Sequence, residues 1–157
     1  MLTTLWHMQM RNLERHEHYA RAFYAAIQPL LKDEAIPEAG LLLIKFLSAR
    51  IGDQRVAREL LFAVKSGEIG AEPSPGARRR IESISAFLQM KPQLKDWLDR
   101  ALMSWLYAVS FLNSWWGPFL RLWLAAVDAL RRREAIAVEY SEMAEHTSTP
   151  VPKAVAA

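Results

Sequence analysis

The sequence contains no cysteine, which excludes disulfide bonds, thiolate metal sites and thiol catalysis. Glycine is also scarce, and its six residues stand singly rather than in a loop that could cradle a phosphate. No basic region followed by an apolar stretch opens the chain, so we expect no signal peptide. These absences favour a cytoplasmic protein and argue against a disulfide scaffold or a nucleotide-binding loop.

Strand patterns are missing as well. No stretch alternates apolar and polar residues over the length of a strand, and β-branched residues are sparse. The 157 residues, 52% of them hydrophobic and 24% charged, are enough to bury one core and too apolar for a disordered chain. We therefore predict an all-α fold: a bundle of about six helices that ends in a long helical hairpin.

Proline and glycine positions divide the chain. A stretch rich in both over residues 67–76 predicts a loop, and Gly117-Pro118 predicts a helix end followed by a new helix over about 118–146. We expect a single helical domain over 1–146, with a candidate subdivision at the 67–76 loop. The proline-bearing tail, 147–157, has no core residues and is expected to be flexible or bound to a partner.

Two apolar stripes predict which helix faces are buried. The first helix, over about 4–32 with Pro29 near its end, carries one stripe, and the second runs through the charge-free stretch 101–120. The expected buried residues of the first helix are Leu13, Ala20, Phe23, Tyr24, Ile27 and Leu31. Those of the later helix are Leu94, Leu98, Leu102, Trp105, Val109, Leu112 and Trp116.

The charge-free stretch is long enough to cross a membrane, but its composition favours a buried helix pair. Ser104, Tyr107, Ser110 and Ser114 give the helix a mildly polar side. Arg121 in the following helix would cost about 2.5–3.5 kcal/mol at the centre of a bilayer. The stretch is also richer in tryptophan than one small core requires, which predicts that some of it meets a partner. The candidate docking residues are Trp105, Trp115, Trp116 and Trp123.

The sequence offers little for catalysis or metal binding. Glu14 and His18 share a helix face, as do Glu142 and His146. Carboxylate-bridged metal bundles instead use Glu-x-x-His with further glutamates, a pattern that is missing here. The serines have no visible histidine and carboxylate partners. We expect no metal, no cofactor and no enzymatic activity.

Basic residues are clustered although the net charge is only +3. Such clusters suit the phosphates of a nucleic acid, while a merely solvated face is the simpler explanation. Residues 47–69 also carry a helix–glycine–helix pattern typical of some DNA-binding proteins, with Arg55 and Arg58 opening the second helix. The candidate phosphate contacts are Lys45, Arg50, Arg55, Arg58, Arg78, Arg79, Arg80, Lys91, Arg131, Arg132 and Arg133.

Three short segments resemble the small subunit of type III CRISPR effector complexes. Leu43–Leu47 is similar to that family's Leu-x-Lys-Phe-Phe segment, and Met90–Leu94 to its Leu-Lys-Pro-Lys-Leu. Phe119–Val127 is similar to its closing Phe-x-x-Phe-Phe-x-Ala-x-Val helix. The resemblance implies a non-catalytic helical subunit that contacts the backbone of guide RNA and its target, within an antiviral defence complex.

Two functions therefore stay open at the level of the sequence. The first is a small, non-enzymatic assembly subunit that binds other subunits or itself and contacts RNA or DNA backbone within a ribonucleoprotein. The second is an accessory subunit of a membrane-associated complex, docked through the tryptophan-rich segment 101–124.

Overall fold

A computed structural model describes residues 2–68 and 72–129 of the chain. These residues form six helices and no strand, which confirms the predicted all-α bundle. The helices are α1 Leu2–Leu31, α2 Glu38–Arg50, α3 Val56–Lys65, α4 Pro75–Met90, α5 Pro92–Leu112 and α6, described over residues 117–129. The remainder of the predicted last helix and the 147–157 tail lie outside the described residues. The chain divides into two compact units, Met1–Arg121 and Leu122–Ala157.

Helices α1 and α5 form the main antiparallel pair of the first unit. The Nδ1 atom of His16 lies 3.0 Å from the carbonyl oxygen of Ala108 in a hydrogen bond. Further along α1, Leu30 reaches the neighbourhood of Leu98, ten residues earlier in α5 than Ala108. The residue numbers in contact increase along α1 while they decrease along α5, so the two helices are antiparallel.

The buried stripe of α1 consists of Phe23, Ala26, Ile27 and Leu30, spaced as one helix face requires. The sequence identified Phe23 and Ile27 correctly. It was wrong about Leu13, Tyr24 and Leu31, which are 51%, 44% and 45% exposed. These three lie off the stripe, and an apolar side chain on a helix is not by itself evidence of burial.

Pro29 does not end α1, which continues to Leu31. Proline removes the backbone donor that would bond to the carbonyl of the residue four positions earlier, here Ala25. Ala25 is exposed, so water can satisfy its carbonyl.

Helix α5 is buried on more sides than its stripe predicted. Trp105 is 5% exposed, and its indole N–H donates a 2.7 Å hydrogen bond to the carbonyl of Leu47 in α2. Ser110 was expected on a mildly polar side, but its side chain is fully buried. Its hydroxyl donates a 2.7 Å bond to the carbonyl of Tyr107, one turn earlier. A serine whose hydroxyl donates to a carbonyl of its own helix leaves no unpaired donor when it is buried. The prediction of a polar side was therefore wrong at Ser110.

The corner between α5 and α6 is held by side-chain and backbone contacts. The Oδ1 atom of Asn113 accepts hydrogen bonds from the backbone N–H groups of Trp115 and Trp116, at 3.0 and 2.8 Å. Its Nδ2 atom donates a 3.0 Å bond to the carbonyl of Gln54, in the connection between α2 and α3. Asn113 thus caps the turn and fixes it against the α2–α3 connection.

Gly117 opens α6 because no larger residue fits. A Cβ atom built there would lie 1.8 Å from the backbone oxygen of Ser110. The same oxygen accepts a 2.9 Å hydrogen bond from Nη1 of Arg121. The predicted helix break at Gly117-Pro118 is therefore present, with α5 ending slightly earlier than expected.

Candidate functional site

Three aromatic rings form a connected surface where α3 meets the start of α6. The ring centroids of Phe62 and Trp116 are 5.8 Å apart, and those of Trp116 and Phe119 are 6.4 Å apart. Phe62 is 53% exposed, Trp116 38% and Phe119 61%. We call these three residues the aromatic surface. Exposed aromatic groups in mutual contact are typical of protein–protein interfaces.

The composition of α3 explains why Phe62 faces outward. The helix buries Val56 and Ala57 and half-buries Leu60 and Leu61, which fills its one inward face. Phe62 follows directly and must point away from that face.

An open cleft beside the aromatic surface carries charges of both signs. Phe62 and Trp116 line it together with Arg58, Glu59 and Glu68. Glu59 is engaged in an ion pair with Arg50. Within the described part of the chain, neither Arg58 nor Glu68 takes part in an ion pair. The rim thus offers one cation and one anion to a partner.

The four tryptophans predicted to dock a partner have different environments. Trp105 belongs to the core, so its assignment as a docking residue is corrected. Trp116 is part of the aromatic surface, whereas Trp115, 83% exposed, lines a separate cleft with Gln9 and other polar side chains. Trp123 is half-exposed in the second unit.

Four of the predicted phosphate-binding residues have carboxylate partners within the chain. The Nε atom of Arg50 lies 3.6 Å from Oδ2 of Asp53, and the guanidinium of Arg50 also pairs with Glu59. The Nε atom of Arg55 lies 3.2 Å from Oδ1 of Asp53. The backbone N–H of Arg55, followed by its guanidinium, lowers the pKa of Asp53 below its usual value. At the start of α3, which the helix–glycine–helix pattern predicted to contact DNA, Asp53 and Glu59 thus already pair with Arg55 and Arg50.

The other two paired cations are Arg78 and Lys91. Arg78 pairs with Glu72 just before α4. Lys91 pairs with Asp33, and this bond, with that from the N–H of Ala35, lowers the pKa of Asp33. The Lys91 pair links the α1–α2 connection to the α4–α5 junction, which is a structural role.

Four other candidate cations are exposed and have no ion pair in residues 2–68 and 72–129. They are Lys45 on α2, Arg58 on α3, and Arg79 and Arg80 on α4. The arginines at 131–133 lie outside the described residues. The predicted basic set is thus distributed over three helices rather than collected on one.

Two further arginines approach the ring of Phe111. The guanidinium carbons of Arg121 and Arg15 lie 4.4 and 5.5 Å from its centroid, and Tyr19 stacks on it at 5.7 Å. Burial lowers the pKa of Arg121, and the neighbouring charge of Arg15 lowers it further. Because Arg121 also bonds to Ser110, this cluster fixes the α5–α6 corner.

The Glu–His pairs that the sequence places on common helix faces were not expected to bind metal, and only one of them, Glu14 with His18, lies in the described ranges. There, no three histidine, aspartate or glutamate side chains lie close enough together to hold a metal ion. His18 and Glu14 lie on an exposed part of α1, and Glu142 and His146 are outside the described residues. Nor does any helix in those ranges combine the length and the apolar character needed to cross a bilayer.

The sequence prediction missed Phe62 and Phe119, because only the tryptophans were weighed as docking groups. A signal was available for Phe62. Leu60, Leu61 and Phe62 are consecutive large apolar residues, and a helix cannot bury three in a row on one face. No family model, no curated protein and no solved structure matches the chain, so the functional argument rests on this geometry.

Proposed function

We propose that this protein is a non-enzymatic helical assembly subunit that docks onto another protein through the aromatic surface. The observation that carries the proposal is the contact between Phe62, Trp116 and Phe119 in an exposed position. Aromatic side chains supply much of the binding energy at protein interfaces, where a partner removes them from water.

The aromatic surface is preorganised. Phe62 is carried by α3, Phe119 by α6, and Trp116 by the last position of the α5–α6 turn, where its backbone N–H donates to Asn113. The hydrogen bond from Asn113 to Gln54 ties the two parts together. A partner therefore does not have to order a loop before it binds, which lowers the entropic cost of association.

The size of the surface indicates what else binding requires. From their exposed fractions, the three rings present roughly 300 Å² to solvent. Burying that area is worth about 7 kcal/mol of hydrophobic free energy, while association costs about 4–15 kcal/mol. The rings can anchor a partner, but contacts at the rim must complete the interface.

Partner binding can be tested with a variant of the surface and a matched control. Phe62→Ala removes one exposed ring, and Ile81→Ala removes an exposed apolar side chain of α4, 56% exposed, outside the aromatic surface. The tagged full chain is recovered from cells that produce it, the associated protein is purified, and its affinity is measured by calorimetry. We expect Phe62→Ala to weaken binding at least about 10-fold and Ile81→Ala to leave it unchanged. Equal affinity of both variants would overturn the proposal.

A second candidate function is contact with nucleic-acid backbone in a ribonucleoprotein. It is supported by the exposed cations Lys45, Arg58, Arg79 and Arg80, none of which has an ion pair in the described part of the chain, and by the resemblance to the CRISPR small subunit. Four phosphate contacts to a single strand predict that log K falls with log salt at a slope of roughly −3. Fluorescence anisotropy with labelled single-stranded RNA measures that slope. Binding that is independent of salt, or unaffected when Arg79 and Arg80 are both changed to Ala, would exclude it.

Membrane docking is tested in the same series. Exposed aromatic side chains also suit a lipid interface, which is the second function predicted from segment 101–124. Sedimentation of the purified chain with anionic vesicles, compared with vesicles of neutral lipid, separates this outcome from protein docking. Loss of sedimentation in Phe62→Ala would assign the aromatic surface to lipid.

A further inference from the structure

We propose that the partner seated on the aromatic surface is a second copy of this chain. The two copies would be related by a two-fold axis near Ala63, so that Arg58 of each copy meets Glu68 of the other. The inference rests on the proposed function, since it requires that the aromatic surface docks onto protein. It adds the identity of the partner and the symmetry of the contact.

The charges of the cleft are the first support. Arg58 and Glu68 line the same cleft, together with Phe62 and Ala63. Arg58 and Glu68 are each five residues from Ala63 in sequence, so two antiparallel copies of this segment that cross at Ala63 would bring each charge near the unlike charge of the other copy. Glu59, the remaining charged residue of the cleft, is already paired with Arg50. A surface with one available charge of each sign complements itself.

The same charges disfavour a nucleic acid at this position. The cleft contains one arginine, Arg58, and two carboxylates, of which Glu59 is already neutralised by Arg50, so it has no net positive charge. A phosphate approaching the rings would meet no excess of positive charge and would lie near the carboxylate of Glu68. A second copy of the chain presents both an arginine and a glutamate, so it can pair with both charges of the cleft.

The shape of α3 permits the contact. Arg58 and Phe62 are four residues apart in α3 and share a helix face. The small side chain of Ala63 lines the same cleft. Packed helices approach to about 8–10 Å, and small residues at the crossing point favour the short end of that range. Two copies of α3 can therefore cross near Ala63 with Phe62 of each copy against the rings of the other.

The exposed area sets the expected strength. The roughly 300 Å² of aromatic surface is well under the approximately 800 Å² per partner that a standard interface buries. We therefore expect a reversible dimer whose population changes over a micromolar concentration range, not a permanent one. Sedimentation velocity of the full chain from about 5 to 500 µM covers that range.

A charge exchange provides the decisive experiment. Arg58→Glu and Glu68→Arg each place like charges in contact, and each variant alone is expected to dimerise at least about 10-fold more weakly than the wild type. The double variant Arg58→Glu/Glu68→Arg restores both contacts and should dimerise within about threefold of the wild type. An equimolar mixture of the two single variants should form a heterodimer, because every contact across the axis then joins unlike charges.

Several results would overturn self-association. They are a wild-type chain that stays monomeric at 500 µM, single variants that dimerise like the wild type, and a mixture that fails to recover dimer. Circular dichroism confirms that each variant is folded, which is expected because both side chains are exposed. A monomeric wild type that still binds a different protein through Phe62 refutes only the second copy. If Phe62→Ala affects neither dimer formation nor binding to another protein, the proposed function itself fails.

Discussion

Replacing Gly117 with alanine should destabilise the protein strongly, because the added methyl group has no space. A Cβ atom of ideal geometry at this position would lie 1.8 Å from the backbone oxygen of Ser110, and Cβ atoms essentially never come within 3.0 Å of a heavy atom outside their own residue and its chain neighbours. The start of α6 and the end of α5 would have to separate by more than 1 Å. The obstruction is a backbone atom, so no rotamer change can relieve it.

The cost follows from what that separation disturbs. Crowding in a packed region costs about 1–3 kcal/mol. Separation also strains the 2.9 Å bond from Arg121 to Ser110 and the 2.9 Å bond from the N–H of Gly117 to Asn113. Each lost hydrogen bond adds about 0.5–1.5 kcal/mol. We expect a total of about 3 kcal/mol, which lowers the Tm of a chain of this length by roughly 10 °C.

Thermal unfolding followed by circular dichroism at 222 nm measures this effect, with Gly76→Ala as the control. Gly76 lies in the first turn of α4, where a Cβ atom would meet nothing within 4 Å. Alanine favours a helix over glycine by up to about 1 kcal/mol, so Gly76→Ala should raise the Tm slightly. The same chemical change is thus expected to have opposite signs at the two positions. A Gly117→Ala variant that melts within about 2 °C of the wild type would refute the steric argument.

Three further predictions concern single contacts. Trp105→Phe removes the donor to Leu47 and leaves a small void, and should cost about 2 kcal/mol in urea unfolding, whereas an unchanged midpoint would contradict it. Asn113→Ala removes the cap of the α5–α6 turn and should cost a similar amount, about 2 kcal/mol, measured in the same way. The pairing of Asp33 with Lys91 lowers the pKa of the Asp33 carboxyl in the folded protein. At pH values above the ordinary pKa of an aspartate this charged carboxylate stabilises the fold, and the stabilisation is lost as the pH falls through the lowered pKa of the folded state. Asp33→Asn should therefore lower the Tm at pH 7, and the Tm difference from the wild type should shrink as the pH falls into the acid range; a Tm difference that is independent of pH would exclude this explanation.

Helix class and helix boundaries were largely readable from the sequence, because they depend on local signals. The absence of alternation predicted the all-α fold, and Gly117-Pro118 predicted the break before α6. The loop predicted over residues 67–76 ends earlier than expected, because α4 starts at Pro75 with Ser74 as its cap. These signals act within a few residues, so a single sequence contains them.

Burial was less predictable because it depends on which helices meet. Trp105 and Trp115 occur in the same apolar stretch, yet one is 5% and the other 83% exposed. The difference arises from the indole bond to Leu47 and from the end of α5 at Leu112, both of which are tertiary features. Likewise, the pairing of Lys91 with Asp33 joins residues 58 apart in sequence. Counting cations without knowing their partners overstated the set available to bind phosphate.

The pairing of α1 with α5 has a consequence for how the chain is made. The hydrogen-bonded residues His16 and Ala108 are 92 positions apart, so the first helix cannot find its main partner until most of the chain exists. At about 5–20 residues per second, synthesis from the end of α1 to the end of α5 takes roughly 4–16 s. During that interval the stripe around Phe23 remains exposed to water and to other chains. Before α5 is synthesised, α1 is therefore the segment of the nascent chain that a chaperone would bind. The pairing of α1 with α5, which are far apart in sequence, is expected to limit the folding rate.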